Sequence, residues 1–192
     1  MIKDNETSLA IFASRYLDTL PTAELFEWID DKSAEVRTLV ARNLQCRGTK
    51  EVYKFAKKRT KSSKVYQREI AAFILGQLGC LFTGSEKYPF KLQSKSLLMS
   101  LVDDRSKSVR AAAIAGLGHL YIDGLDKDIE NLVIRHSKDK SKVVRIALSI
   151  TLGASSGNKK IRKIYTDYLK QGGEVAEWAE VGLEILNDRL QT

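Results

Sequence analysis

Four arginines, Arg37, Arg68, Arg110 and Arg145, follow one another at intervals of 31, 42 and 35 residues, and a fifth slot 31 residues further on holds Ala176. Taken alone, a row of guanidiniums at such regular spacing reads as an array for binding. A second basic group is denser: Lys50, Lys54, Lys57, Lys58 and Lys61 recur at three- and four-residue steps, which puts them on one stripe of a helix. Such a stripe could meet phosphates, or it could be an ordinary solvated face. The groups that could catalyse are sparse. His119 and His136 are the only histidines, and neither has a Ser/Asp or Cys arrangement beside it that suggests a nucleophile. Glu24 with Glu27, and Asp123 with Asp126, could each share a helix face, a pattern more typical of solvated acids. The stretch GASSGNKK (153–160) lacks the spacing of a phosphate-binding loop. Cys46 and Cys80 leave one disulfide open, but without CxxC or Cys/His ligand spacing they read as two reduced thiols and not as a zinc site.

The elements that carry these residues are repeats. DDKSAEVRTLVARNLQ (30–45), SSKVYQREIAAFILGQ (62–77), DDRSKSVRAAAIAGLGH (103–119) and KDKSKVVRIALSITLGA (138–154) share one pattern, and GGEVAEWAEVGLEIL (172–186) is a degenerate fifth copy. Leu44, Leu75, Leu117, Leu152 and Leu183 follow the arginine slot by seven residues. Intervals of this size belong to stacked helical repeats. First helices are expected near 22–30, 49–60, 92–102, 124–136 and 158–170. Second helices are expected near 34–46, 64–81, 107–120, 142–155 and 173–188, and a further helix near 6–18 would cover the amino-terminal end. Thr22, Ser33, Thr49, Ser106 and Ser141 suit N-cap positions. Small residues on the second helices, among them Gly76, Gly116, Gly118, Gly153 and Gly182, favour close helix approach over helix propensity.

The expected architecture is all-α: a right-handed α-α superhelix of about five two-helix repeats plus an amino-terminal helix. A cap over 1–20 and repeats over about 21–47, 48–82, 91–121, 122–156 and 157–190 form a single domain. The longest interval contains GCLFTGSEKYPFKLQSKS (79–96), whose two glycines and Pro89 imply an inserted loop. Within it Tyr88 and Phe90 are the aromatic residues hardest to assign to the core, hence candidates for exposed recognition. Trp28, Phe26, Phe55, Phe73 and Trp178 read as packing residues. No apolar run approaches the roughly 20 residues that span a bilayer, and the first residues do not read as a secretory signal, so a cytoplasmic location is expected. The net charge of +8 is uneven: residues 1–30 sum to −4, residues 31–100 to +10 and the remainder to +2. Repeats one and two therefore favour an acidic partner surface or a polyanion.

With the repeats in place, the chain resembles HEAT-repeat proteins, of the ARM/HEAT type. Asp31, Asp104 and Asp139, five residues before Val36, Val109 and Val144, resemble the Asp and Val-Arg pairing of that family. The resemblance implies a ladder of Asp and Arg side chains tying adjacent repeats, so Arg37, Arg68, Arg110 and Arg145 would be structural. Repeat two has Ser62 where the aspartate is expected, which implies a missing rung. A narrower resemblance rests on ELF…DD (Glu24–Phe26, Asp30, Asp31), LQCRG (Leu44–Gly48), AFILGQ (Ala72–Gln77), DKS…VR (Asp139–Ser141, Val144, Arg145) and EVAEWA (Glu174–Ala179). These are similar to bacterial HEAT-repeat proteins encoded beside Rhs-type polymorphic toxins and regarded as immunity proteins. The repeat grammar is also that of a HEAT subclass noted in phycobilisome lyases, but nothing here resembles a bilin site.

Function is therefore expected to be non-catalytic recognition of a protein, a cognate toxin or another acidic protein, with no cofactor, metal or membrane. Expected contact residues are Arg42, Glu69, Gln77, His119 and Glu177 on second helices, Lys54, Lys57, Lys58 and Lys61 on the stripe, and Tyr88 and Phe90 in the loop. The alternative is nucleic-acid binding through the basic surface of repeats one and two. A glycosylase reading fails for want of a stacking platform between Trp28 and Trp178.

Overall fold

The computed structural model of the chain describes residues 2–83 and 86–191, with side chains from Leu9 onward; Gly84 and Ser85 of the expected loop lie outside the described residues. Among these residues the structure is all-helical. A long helix α1 (Ile2–Thr19) precedes five pairs: α2 (Thr22–Trp28) with α3 (Ala34–Arg47), α4 (Lys50–Arg59) with α5 (Val65–Gln77), α6 (Lys91–Leu101) with α7 (Lys107–Leu120), α8 (Lys127–Arg135) with α9 (Lys142–Thr151), and α10 (Lys159–Leu169) with α11 (Gly173–Gln191). The second helices pack side by side in chain order, α3 on α5, α5 on α7, α7 on α9 and α9 on α11. First helices lean on this row without forming an equally close row of their own. The chain is an α-solenoid.

Local chemistry sets most of the helix ends. Ser33 and Thr49 cap α3 and α4 by accepting from the amides of Val36 and Val52, each at 3.3 Å. Ser106 and Ser141 hold the N-cap position of α7 and α9 without a side-chain cap bond. Thr22 differs from expectation: Pro21 is the N-cap, and the Thr22 hydroxyl accepts from Arg47 Nη1 at 2.8 Å instead. That arginine also donates to the carbonyls of Leu17 and Leu20, at 3.0 and 2.6 Å, and so closes the C-terminal end of α1. Helix α5 stops at Gln77, four residues short of expectation. Leu78 is extended, Gly79 takes a φ of +79°, and the Gly79 amide donates to Gln45 O at 2.7 Å, tying the chain back to repeat one. Helix α9 ends at Thr151 and tightens into a 3-10 turn over Leu152–Ala154.

One continuous core runs between the layers. Leu44, Leu75, Leu117 and Leu152 are fully buried, and only Leu183 in the last copy stays partly exposed. Gly76 and Gly116 show why small residues outweigh propensity: a Cβ on Gly76 would collide with the Gly116 backbone, so α5 and α7 touch backbone to backbone.

The ladder is unevenly built. Arg68 donates from Nε and Nη2 to Asp104 at 2.7 and 2.9 Å, and Arg110 to Asp139 at 2.8 and 3.0 Å. Each aspartate also accepts from the amide two residues on, Ser106 or Ser141, at 2.8 Å. The third guanidinium nitrogen of each arginine bonds the loop before its own helix: Arg68 to Ser62 O at 2.8 Å and Arg110 to Asp104 O at 2.9 Å. Arg37 has the loop bonds, to Asp31 O at 2.7 Å and Lys32 O at 2.9 Å, but meets Ser62's repeat with no carboxylate and lies 5.1 Å over the Tyr66 ring. A different cluster joins repeats one and two: Arg59 clamps Asp30 with two bonds of 2.8 Å, and Gln67 adds two more at 3.1 Å.

The described residues of the segment after α5 fold back against the stack. The Phe82 ring packs over Gly48, Pro89 over Gly79, and Phe90 stacks on Tyr53 with centroids 4.7 Å apart. Tyr88 is half-buried against the core at a positive φ of 55°. Both Tyr88 and Phe90 thus depart from the expectation of exposed recognition residues, because each packs part of its ring against the core.

Candidate functional site

The second helices form the row in which side chains of successive repeats come together. Their small contact residues let them approach more closely than the first helices do. Two clefts of about 190 Å³ each lie on the face of this row. The first, between α3, α5 and α7, is lined by Arg37, Thr38, Tyr66, Glu69, Ile70 and Phe73. The second, between α7, α9 and α11, is almost wholly apolar, with His119, Ile122, Ala147, Ile150 and Ile185 on its walls. The face changes character along the stack: mixed and charged at repeats one to three, apolar at repeats three to five.

Helical spacing makes the apolar half continuous. Val143, Ala147 and Ile150 lie on one side of α9, and Trp178, Val181 and Ile185 on one side of α11. Ile122, Ile150, Trp178, Val181 and Ile185 keep 39–54% of their surface exposed. A lysine–glutamate pair, Lys142 to Glu174 at 2.6 Å, closes the row at the amino ends of α9 and α11. Desolvation by its neighbours pushes the His119 imidazole below the ordinary histidine range. His136 sits elsewhere, with Nε2 3.0 Å from Asp103 Oδ1.

The expected contact residues do not converge. Glu69 lines the first cleft and His119 the second, and Arg42 and Glu177 are exposed on α3 and α11. Gln77 is half-buried at the end of α5. Lys54, Lys57, Lys58 and Lys61 belong to the other layer, on and just after α4. All four are exposed, and none makes an ion pair among the described residues. Their neighbour Arg59 is taken up by Asp30 and by the Phe55 ring, 4.3 Å away.

The apolar strip escaped the sequence reading. Trp178 was assignable to packing, yet 39% of it is exposed; the same holds for Trp28 at 37%, which tilts against Tyr16 with centroids 6.2 Å apart. The available signal was in α11: Val175, Ala179, Gly182 and Leu186 are its buried positions, which puts Trp178, Val181 and Ile185 on a second apolar face. A buried carboxylate was also unforeseen. Glu130 accepts from the Ser156 amide and hydroxyl and from Asn158, at 2.6, 2.8 and 2.9 Å, and so fixes the loop between repeats four and five. Cys46 and Cys80 are free thiols; burial, and then Cys80 nearby, pushes the Cys46 thiol up. No group of metal-ligating residues forms, and no helix is long and apolar enough to cross a membrane, among the described residues.

The chain is similar to the protein YibA of Escherichia coli, with 28% identity over 168 residues that make up 84% of this chain and 57% of YibA. It thus spans less than two thirds of that relative's length. The X-ray structure of YibA superimposes with a TM-score of 0.76 at 24% identity, over 91% of this chain and 62% of that one. The complex of CpcE and CpcF of phycocyanin lyase from Nostoc sp. PCC7120 gives a TM-score of 0.56 at 22% identity, over 76% and 89%. A designed armadillo repeat protein in complex with the peptide (KR)4 gives 0.50 at 16% identity, over 84% and 80%. No family model matches the chain. These likenesses show the fold, an α-solenoid with armadillo- and HEAT-like neighbours.

Proposed function

We propose that this chain is a non-catalytic scaffold that recognises a protein through its second-helix face, and that its partner is a polymorphic toxin which it blocks. The observation that carries the reading is the exposed apolar strip of Ile122, Ile150, Trp178, Val181 and Ile185 on a rigid repeat stack. An exposed apolar band on a preformed surface suits protein association, since little ordering cost offsets the burial gained. The toxin as partner is supported by the sequence resemblance to HEAT-repeat immunity proteins encoded beside Rhs-type toxins. Occlusion fits this surface better than chemistry does: the cleft between α7, α9 and α11 has apolar walls with His119 as its one titratable group, and the cleft between α3, α5 and α7 sets Arg37 and Glu69 apart from any nucleophile or second acid–base pair.

Co-expression with the toxin encoded by the neighbouring gene tests this directly. Growth should be rescued and the two proteins should co-purify, and replacing Trp178 and Ile150 together by Ala should weaken the complex by about tenfold or more. Toxicity undiminished and no complex would refute the immunity role.

The unpaired lysines Lys54, Lys57, Lys58 and Lys61 favour a second reading, nucleic-acid binding through α4. It predicts DNA or RNA binding that weakens steeply with salt and is lost when these four are changed to Glu; salt-insensitive or absent binding rejects it.

A further inference from the structure

We infer that the cleft at Arg145 is a carboxylate-binding site, which takes an Asp or Glu side chain from an acidic segment of the partner protein. Arg68 and Arg110 define what such a guanidinium does when satisfied. Each uses Nη1 for the loop before its own helix and offers the Nε–Nη2 edge to an aspartate three residues ahead of the next second helix. Arg145 repeats the first half, with Nη1 donating to Asp139 O at 2.7 Å. The second half is missing. The residue in register ahead of α11 is Lys170, exposed and of the wrong charge, and Arg145 Nε is buried with no hydrogen-bond partner. A buried donor left in this state is costly, and the cost is relieved by any ligand that supplies the absent acceptor.

Space exists for that ligand. A cleft of about 470 Å³ opens beside Arg145 between the α8–α9 loop and α10, within the range of sites that hold small groups or side chains. Ile134, Ile164 and Tyr168 contribute its apolar wall, and the Tyr168 hydroxyl is already committed to Ser137 O at 2.6 Å. Lys138, Lys140, Lys160 and Lys163 surround it together with Arg145, against two carboxylates. One of these, Asp139, is taken by Arg110, and the other, Asp167, lies 3.8 Å from Lys163. The field is therefore positive. A planar carboxylate suits the Nε–Nη2 edge in the two-bond geometry of Asp104 on Arg68 once the Arg145 side chain turns to bring its buried Nε to the cleft, and the methylenes of a Glu would lie along the apolar wall.

This inference deepens the protein-recognition reading and rests on it for the source of the acid, but its test needs no cognate partner. A fluorophore-labelled peptide rich in Glu and Asp, blocked at both ends, is titrated with the full chain at low ionic strength, alongside its Gln/Asn counterpart. The acidic peptide should bind and the amide counterpart should not. Lys170→Asp, which supplies the missing rung from within, should weaken binding about tenfold or more while raising the melting temperature. Arg145→Lys keeps the charge but loses the fork, and should weaken binding about as much. Both variants are checked for native helix content, so that either one alone decides the outcome if the other fails to fold. Absence of binding, equal binding of the amide peptide, or unchanged affinity in the folded variants would overturn the site. So would displacement by inorganic phosphate at lower concentration than by acetate, which would mark a general anion site. If the peptide test fails while the toxin complex forms, only this site is lost; if the peptide binds and no toxin complex forms, the toxin reading is lost.

Discussion

The middle of this solenoid and its two ends are made from one repeat, yet they treat the same arginine in opposite ways. Between repeats two and three, and three and four, the guanidinium is closed by an aspartate, and both partners are nearly out of water: the Arg68 and Asp104 side chains keep 9% and 10% of their surface. At the ends, Arg37 and Arg145 keep the bonds to their own loops and find no acid across the interface. In each case one substitution separates the two states, Ser62 or Lys170 in the place of Asp. The comparison shows that the ladder has two separable parts. The loop bonds order each repeat by itself, and the aspartate couples a repeat to its neighbour. Where the coupling is absent, an arginine that would be architectural becomes available for other use.

Breaking the rungs should give the largest effect. Arg68→Ala leaves Asp104 buried without its cation and should lower the unfolding free energy by about 3 kcal/mol. Arg37→Ala removes only loop bonds and a ring contact, and should cost about 1 kcal/mol. Denaturant unfolding of the two variants measures the difference; equal losses would show that the rung is worth no more than the loop bonds. A buried ion pair need not outperform apolar packing, so Arg68→Met with Asp104→Leu should recover much of the loss.

Acid should erode the contrast by a smaller amount. Hydrogen bonds from Arg59 hold Asp30 down from 3.8 to about 2, against the opposing effect of burial. Arg68 likewise lowers Asp104. Burial opposes the charge on Asp139, but bonds from Arg110 and the Ser141 amide outweigh it and leave the pKa below the ordinary value. A carboxyl depressed in the folded state contributes its full stabilisation above the unfolded value, near 3.8, and loses it as pH falls through the folded value. Unfolding midpoints should therefore be flat from neutrality to about pH 5 and drop between about 4 and 2. In the Arg68→Ala variant the drop should be shallower, because Asp104 has no cation left to depress it. An identical acid limb in both proteins would show that the rungs do not carry it.

The repeat pattern made the stack legible before any coordinates. The arginine and leucine intervals placed every helix pair, and the missing aspartate at Ser62 marked the open junction between repeats one and two. What escaped the sequence had physical reasons. The end of α5 depends on a bond from the Gly79 amide to Gln45, a partner in another repeat that no local pattern encodes. Tyr88 and Phe90 sit in an irregular segment, where periodicity gives no face, and the stacking partner of Phe90, Tyr53, lies in another helix that no local pattern points to. Trp178 lies on a helix that is apolar on two sides, so composition could not say which side meets the core. Arg145 was readable as a rung; that its partner position holds Lys170 follows from the same five-residue offset that exposed Ser62. The degenerate fifth copy hid it.

The smallest effect should come from closing an open junction, and it bears most directly on why the ends differ. Ser62 stands three residues ahead of α5, where Asp104 and Asp139 stand ahead of α7 and α9. Its hydroxyl already accepts from the Lys64 amide at 3.1 Å, as the aspartates accept from Ser106 and Ser141 at 2.8 Å. An aspartate at this position would keep that bond and turn its second oxygen towards Arg37, which now rests over Tyr66. The gain is limited by two losses: the contact with the Tyr66 ring, and the bond of 2.5 Å from Ser62 to Gln67, which helps hold Gln67 near Asp30. Arg37 is also less buried than Arg68, so water screens the new pair. Ser62→Asp should accordingly stabilise the chain by about 1 kcal/mol or less, read as a raised denaturant midpoint at constant slope. A loss of stability instead would mean that the Asp30–Arg59–Gln67 cluster is this junction's own coupling and that an added rung competes with it. Helix α4 would then be held to repeat one by that cluster together with the stack of Phe26 on Phe55, centroids 3.9 Å apart, and neither of these uses Lys54, Lys57, Lys58 or Lys61.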